Sequence, residues 1–172
     1  VHIIEVINPP APPPIVRCEK KYSTSFTLSH DKKEVTVLAS YKGIAWFAIG
    51  IGDNEMNNAD MFVCSGSPLN VTRYWSTAKP IDWEPSNGVA VSRGTCIQSD
   101  GTTKMEFTRQ TASSTSTENA IKTGAGQTTN FVYTHRIDSK TSPYCKVSYD
   151  VNKVATVLPK PKIPRKNVDD PL

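Results

Sequence analysis

Residues 44–64 read IAWFAIGIGDNEMNNADMFVC, and this stretch decides the fold. Two apolar segments, 44–51 and 60–64, flank a polar turn. Short apolar runs bounded by Gly, Asn and Asp predict two buried β-strands joined by that turn. Met56 stands in the turn, where a methionine contributes little to core packing. Met56 is therefore a candidate functional residue.

Segments with the same β-branched and aromatic character recur on both sides of this hairpin. They predict strands over 22–28, 34–41, 89–97, 104–110, 130–137 and 144–151. Residues 29–33 and 99–101 resemble hairpin connections. The Ser/Thr-rich residues 111–129 predict a long surface loop, with one short helical turn near 117–122. Many short strands need two packed sheets to bury their inner faces, so we expect an all-β, immunoglobulin-like antiparallel β-sandwich.

Length and composition are those of one globular domain, with 172 residues, 37% hydrophobic and 21% charged. We expect a proline-rich segment at 1–17, a sandwich domain at 18–158 and a proline- and lysine-rich tail at 159–172. The tail holds four basic and two acidic residues, so half of the net charge of +4 belongs to it. The remaining charge is too small and dispersed for a nucleic-acid reader. No apolar run approaches the roughly 20 residues of a membrane helix.

The four cysteines, Cys18, Cys64, Cys96 and Cys145, are widely spaced and form no Cys-x-x-Cys pair. A zinc site is therefore not expected. Two disulfides in an oxidising compartment fit this spacing, with three pairings open, and free buried thiols are the alternative. Asn70-Val71-Thr72 is an N-glycosylation acceptor that points to the same compartment. We expect a secreted, extracellular protein, with any signal peptide either removed or excluded from this sequence.

Catalytic signatures are scarce in the sequence. The histidines are His2, His30 and His135, and neither a Gly-x-Ser-x-Gly elbow nor a His-Glu-x-x-His helix occurs. A hydrolase needs a nucleophile with a positioned base, and this chain offers no such pair in sequence. We expect no enzyme activity of the domain's own.

Taken together, the pattern Trp-x-Ala-x-Gly-x-Gly from Trp46, followed by Met-Asn-Asn-Ala-Asp from Met56, resembles the DOMON domain. The Met-Asn-Asn form is closest to the haem-binding cytochrome domains of the cellobiose dehydrogenases. Weaker matches follow at 71–76, 94–96, 107–109 and 131–135, so that the resemblance covers roughly 18–155. These later matches are short and could occur in other β-rich secreted proteins.

The resemblance implies a b-type haem held between one methionine and one histidine. Met56 matches the methionine, His135 is the candidate histidine with His30 as a fallback, and Met61 is interpreted as a core residue. Such ligation raises the potential of the iron and leaves no open position, which suits a carrier of single electrons to or from a redox partner protein or an attached oxidoreductase domain. Arg73, Tyr74 and Trp75 are predicted to contact the haem, or else to be ordinary strand packing.

Two further interpretations remain open. A haem-free DOMON-like module could bind carbohydrate or a protein partner, with Trp75 and Trp83 suited to stacking on sugars. The proline-rich ends could also reach neighbouring copies and build a homo-oligomer. Covalent c-type haem attachment is excluded because no Cys-x-x-Cys-His occurs.

Overall fold

The structure is a computed structural model that describes residues 21–52, 58–76, 89–114, 119–137, 140–141 and 144–162. Within these residues the chain forms twelve strands and one short helix, α1 (Val151–Val154). The strands are β1 (Tyr22–Leu28), β2 (Glu34–Tyr41), β3 (Trp46–Ile51), β4 (Ala59–Ser65), β5 (Asn70–Ser76), β6 (Val89–Ala90), β7 (Gly94–Ser99), β8 (Thr102–Gln110), β9 (Thr129–Ile137), β10 (Lys140–Thr141), β11 (Cys145–Tyr149) and β12 (Thr156–Val157).

The strands form two sheets that pack face to face. The first sheet has the order β12-β1-β2-β8-β7, and the second has the order β10-β9-β3-β4-β5-β6 with β11 also paired to β9. All of these pairs are antiparallel except the short β1–β12 pair. The predicted antiparallel β-sandwich is therefore confirmed.

Alternation along the strands builds the core between the sheets. In β8, Thr103, Met105, Phe107 and Arg109 are buried, while the intervening residues point toward solvent. Opposite them, Phe62 of β4 stacks on Phe107 with ring centroids 3.8 Å apart. The buried aromatic rings from both sheets make this interface the principal core.

A disulfide ties the two sheets together. Cys64 of β4 bonds to Cys96 of β7, with the two Cα atoms 5.7 Å apart. Cys145 is also disulfide-bonded, whereas Cys18 lies outside the described residues. The expectation of disulfides is thus confirmed for three of the four cysteines. Cys64 and Cys96 are 32 residues apart in sequence, with β5 and β6 between them. The bond therefore closes a long loop and reduces the conformational freedom of the unfolded chain.

Most predicted strands are confirmed, with local differences. β5 was not predicted as a strand, and the predicted strand at 89–97 is two strands, β6 and β7, with a break between them. β11 ends at Tyr149 because the Asp150 side chain accepts a hydrogen bond from the Lys153 amide and caps α1. The 111–129 segment is not wholly a surface loop, since Ile121 is buried in the principal core.

The ends of the chain lie largely outside this description. The predicted segment 1–17 and the tail from 163 onward are not among the described residues. The tail segment begins beside β1, where the Leu158 amide donates to the Leu28 carbonyl at 2.9 Å.

Among the described residues, the structure contains no helix with the length and apolar character that a membrane span requires.

Candidate functional site

The turn that carries Met56 connects β3 to β4. Residues 53–57 lie outside the described part of the chain, but both ends of the turn are defined. Ile51 is opposite Asp60 in the β3–β4 ladder, and the Gly52 amide donates to the Asn130 carbonyl at 3.2 Å. Asn58 has a positive φ of 53°, a conformation that asparagine adopts more readily than most residues. We call this end of the sandwich the Asp60 end.

Asp60 is a fully buried carboxylate between the sheets at this end. Arg73 of β5 donates to it through Nε at 2.6 Å and Nη2 at 2.5 Å, and Arg109 of β8 donates through Nη1 at 2.7 Å. Two guanidinium groups from opposite sheets thus share one carboxylate. Such charge-assisted hydrogen bonds are about twice as strong as neutral ones, and they offset the cost of burying the charge.

Arg109 extends this network to the segment that crosses the Asp60 end. Its Nη2 donates to the Asn119 carbonyl at 2.7 Å, and its Nε donates to the Gln110 carbonyl at 2.8 Å. The Asn119 side-chain amide in turn donates to the carbonyls of Ile51 and Asn58, both at 2.7 Å. The residues before and after the 52–57 turn are therefore bonded to one side chain.

Three residues predicted to contact haem lie on β5. Arg73 forms an ion pair with Asp60, and its guanidinium lies 5.3 Å from the centre of the Phe62 ring. Tyr74 packs on the opposite, outer face of the second sheet, and Trp75 is partly buried opposite Asp60 in the β4–β5 ladder. Arg73 thus contacts Asp60 and Phe62, and Tyr74 packs on the outer face, while the predicted haem contact of these residues stays a prediction.

His135 lies in the core at the opposite end of the sandwich, which we call the His135 end. Its side chain is buried, with the residue 3% exposed, and its Nδ1 is hydrogen bonded to the Tyr22 hydroxyl at 2.6 Å. The imidazole stacks on Tyr41 with centroids 4.2 Å apart. Burial lowers the pKa of His135, and the charge of Lys21 lowers it further. Burial, with a contribution from Tyr41, raises the pKa of Tyr22. Both groups therefore stay neutral near pH 7.

The β3–β9 ladder places His135 beside the start of β3. His135 is opposite Phe47, four residues and about 13 Å of strand before Ile51, the last residue of β3. Met56 lies outside the described residues, so the pairing of Met56 with His135 stays a prediction.

The outer face of the second sheet forms a smaller apolar cluster. Met61 is fully buried there, and a Cβ atom added to Gly50 would collide with the Met61 sulfur and lie 2.8 Å from Val132. Met61 therefore fills the space that Gly50 leaves, which agrees with its interpretation as a core residue. The cluster comprises Ala48, Ala59, Met61, Val63 and Val132, with Trp46, Tyr74 and Tyr144 packed against it.

The other predicted site residues lie elsewhere. His30 is exposed in the turn between β1 and β2, and Asn70 is exposed at the start of β5, as a glycosylated asparagine must be. His2, Trp83 and Cys18 are outside the described residues. In the part of the chain that the structure describes, no group of three or more His, Cys, Asp or Glu side chains could hold a metal ion.

Sequence reasoning missed the roles of Asp60, Arg109 and Asn119. One signal was present, because Asp60 interrupts an apolar strand and a buried carboxylate requires a cationic partner. The sequence does not identify Arg109 as that partner, because Arg109 belongs to a strand of the other sheet. Asn119 lies in a polar loop where nothing distinguishes it from its neighbours.

Comparison with known proteins identifies the family of this chain. The DOMON domain family matches residues 18–135. Among solved structures, the cytochrome b domain of pyranose dehydrogenase from Coprinopsis cinerea is similar, with a TM-score of 0.53, 18% sequence identity and 78% coverage of both chains. No curated protein matches the sequence. At that identity the structural likeness concerns the fold, whereas the family match covers more than half of the chain. This chain belongs to the DOMON domain family and has a cytochrome b-like fold.

Proposed function

We propose that this chain is a secreted electron-transfer module that binds a b-type haem and exchanges single electrons with a partner protein or an attached oxidoreductase domain. The supporting observation is the Met56 turn between the two central strands β3 and β4, whose two ends Asn119 holds. A haem would supply a one-electron centre, and a methionine thioether would favour its ferrous state. Met56 is the proposed thioether ligand.

His135 is the proposed second ligand, as the sequence predicted. Its Nδ1 is hydrogen bonded to the Tyr22 hydroxyl, and its ring is stacked on Tyr41. A hydrogen bond at Nδ1 leaves Nε2 as the nitrogen that would bind iron, and metal-binding histidines commonly have the other ring nitrogen hydrogen bonded in this way. The Met56–His135 pair stays a proposal.

Oxidised and reduced absorption spectra of the chain titrated with haem test this proposal. A saturable one-to-one complex that dithionite reduces is expected, and Met56→Leu should lower the reduction potential because the thioether is lost. Met61→Leu is the matched control, since Met61 is a buried core residue. Failure to form a haem complex, or identical potentials for Met56→Leu and the unaltered chain, contradicts the proposal.

His135→Phe separates the two ligand arrangements. The phenyl ring can keep the stacking on Tyr41 but cannot bind iron. If the haem spectrum survives this change, the second ligand does not come from His135. If the low-spin spectrum disappears while the apo-protein remains folded, His135 binds iron as the sequence predicted.

The sequestration of His135 favours a second candidate function, a haem-free DOMON module that binds a carbohydrate or a protein. The described structure keeps the sole histidine of β9 within the core. Glycan-array binding by the protein without haem, together with no uptake of haem, would support this second function.

A further inference from the structure

The first sheet carries a cleft of about 470 Å³ between the β1–β2 turn and the segment that follows β12. One wall is polar and comprises Ser29, His30, Asp31, Lys33, Glu34 and Gln110. The opposite wall is apolar and consists of Leu158, Pro159 and Pro161. We infer that this cleft binds a neutral saccharide unit of a glycan. The inference specifies a site for the carbohydrate binding of the second candidate function, on which it rests, and it does not depend on haem.

Hydrogen bonds within and beside the β1–β2 turn fix the polar wall. Asp31 Oδ1 accepts from the Ser29 hydroxyl at 2.8 Å and from the Lys33 amide at 3.0 Å. Glu34 Oε2 accepts from Arg93 Nη1 at 2.6 Å. In the part of the chain that the structure describes, these bonds use one oxygen of each carboxylate, so the second oxygen of each can accept a hydrogen bond from a ligand.

The apolar wall is held against the same turn. The Leu158 amide donates to the Leu28 carbonyl at 2.9 Å, directly after the pairing of β12 with the end of β1. The rings of Pro159 and Pro161 fix the backbone φ of the segment that forms this wall. Leu158 is 49% exposed, so its apolar surface can contact a ligand. Both walls are therefore in place before binding, which lowers the entropic cost of binding.

The charges around the cleft cancel. Asp31 and Glu34 are negative, whereas Lys33 and Arg93, the partner of Glu34, are positive. This balance gives no preference for an anion or a cation. Carboxylate acceptors beside ammonium and amide donors suit hydroxyl groups, because each hydroxyl both donates and accepts.

The size and the second wall favour the same ligand class. A volume of about 470 Å³ lies within the range of about 300–1,000 Å³ that is typical of small-ligand sites. A saccharide ring has hydroxyl groups at its edge and C–H groups on its faces. Its edge would therefore bind the polar wall, and one face would pack on Leu158 and the two prolines.

Titration of the apo-protein with neutral oligosaccharides tests the inference. The probes are the linear hexasaccharides of glucan, xylan, mannan and chitin, and backbone amide chemical shifts are followed by nuclear magnetic resonance. At least one probe should bind saturably, with the shift changes centred on residues 29–34 and 158–162.

Two substitutions each remove one feature of the cleft. Glu34→Ala removes a carboxylate acceptor and should raise the Kd about tenfold, because hydrogen bonds to charged groups are strong. Leu158→Ala removes apolar contact and should raise the Kd about fivefold. Glu106→Ala and Val157→Ala are the matched controls, because both side chains are exposed nearby and neither is among the described residues that line the cleft. The controls should bind as tightly as the unaltered chain.

Three results would overturn the inference, provided that circular dichroism shows the variants to be folded. The first is no binding of any probe at millimolar concentration. The second is binding that both Glu34→Ala and Leu158→Ala leave unchanged, which would show that the carbohydrate site lies elsewhere and that the second candidate function survives. The third is a response of the cleft amides to Ca²⁺ alone, without a response to any saccharide.

Haem titration of Glu34→Ala separates this inference from the haem proposal. This variant should take up haem as the unaltered chain does, because the cleft includes neither of the proposed haem ligands. Failure of haem uptake in both chains would contradict the haem proposal and leave the saccharide experiment decisive for the cleft. Loss of haem uptake in Glu34→Ala alone would overturn the inference of a separate saccharide site.

Discussion

At the Asp60 end the two sheets are joined by charge, whereas at the His135 end they are joined by aromatic packing. Asp60 receives hydrogen bonds from Arg73 and Arg109, and every partner carries a full charge. His135 is surrounded by Tyr22 and Tyr41, and its pKa is lowered so that it stays neutral. The same two sheets thus bury a polar side chain in two different ways, with different strands at each end.

The comparison shows which end of the sandwich is hydrogen bonded to residues outside the two sheets. A neutral, stacked imidazole is satisfied by its immediate neighbours and makes a closed core. The charged network extends beyond the core, because Arg109 still reaches the Asn119 carbonyl after binding Asp60. The Asp60 end is therefore bonded to the segment that contains Asn119, whereas His135 contacts residues of the sandwich itself.

The largest effect is expected from Asp60→Asn, which leaves Arg109 buried without its anionic partner. Removing one partner of a buried ion pair costs about 3–5 kcal/mol. Urea denaturation of apo-protein measures the loss of unfolding free energy. Glu34→Gln is the control, because its ion pair with Arg93 is exposed, with side chains 36% and 60% accessible, and is worth about 1 kcal/mol or less. Similar losses in the two variants would show that the Asp60 network is not a strong link between the sheets.

A smaller effect is expected from Tyr22→Phe, which removes the hydroxyl bonded to His135. A buried polar group left without its hydrogen bond costs about 1–3 kcal/mol, so we expect a loss toward the lower end of this range. Tyr149→Phe is the control, since its hydroxyl only accepts a long contact of 3.5 Å from Tyr133. Denaturation curves for both variants give the comparison. If Tyr22→Phe is no less stable than Tyr149→Phe, the Tyr22–His135 bond contributes little to the His135 end.

The smallest effect concerns pH. The pKa of His135 is lower in the folded chain than in the unfolded chain, so the unfolded chain binds the proton first on acidification. Stability should therefore fall as pH falls below the usual imidazole pKa of about 6.5, by at most about 1.4 kcal/mol per pH unit. Denaturation midpoints at several pH values between 7.5 and 5 measure this slope, which His135→Phe should reduce.

His30→Asn is the control for this slope, because His30 is exposed in the β1–β2 turn. The pKa of Asp31, which the Lys33 amide and the Ser29 hydroxyl lower, acts in a more acidic range and does not contribute between pH 7.5 and 5. A slope that persists undiminished in His135→Phe would show that another group causes the acid sensitivity.

Much of the fold could be predicted from the local pattern of apolar and polar residues in the sequence. The β3–β4 hairpin, with an apolar run on each side of a polar turn, was predicted within two residues of its observed bounds. β5 was not among the predicted strands because charged Arg73 lies on its inner face and aromatic Tyr74 on its outer face, so apolar and polar residues do not alternate. Haem contact and ordinary strand packing were both open for these residues. The 111–129 segment was misjudged because a single buried residue, Ile121, carries no periodic signal.

The sequence by itself determined the all-β class, the DOMON resemblance and Met56 as a methionine out of place in a polar turn. These follow from the period of two in strands and from residue types that suit particular local conformations. Only the tertiary structure decided that Arg109 meets Asp60, that Asn119 binds both ends of the turn and that His135 lies in the core with Tyr22. These contacts join residues 49, 68 and 113 positions apart, and sheet pairing brings such residues together without leaving a local signal.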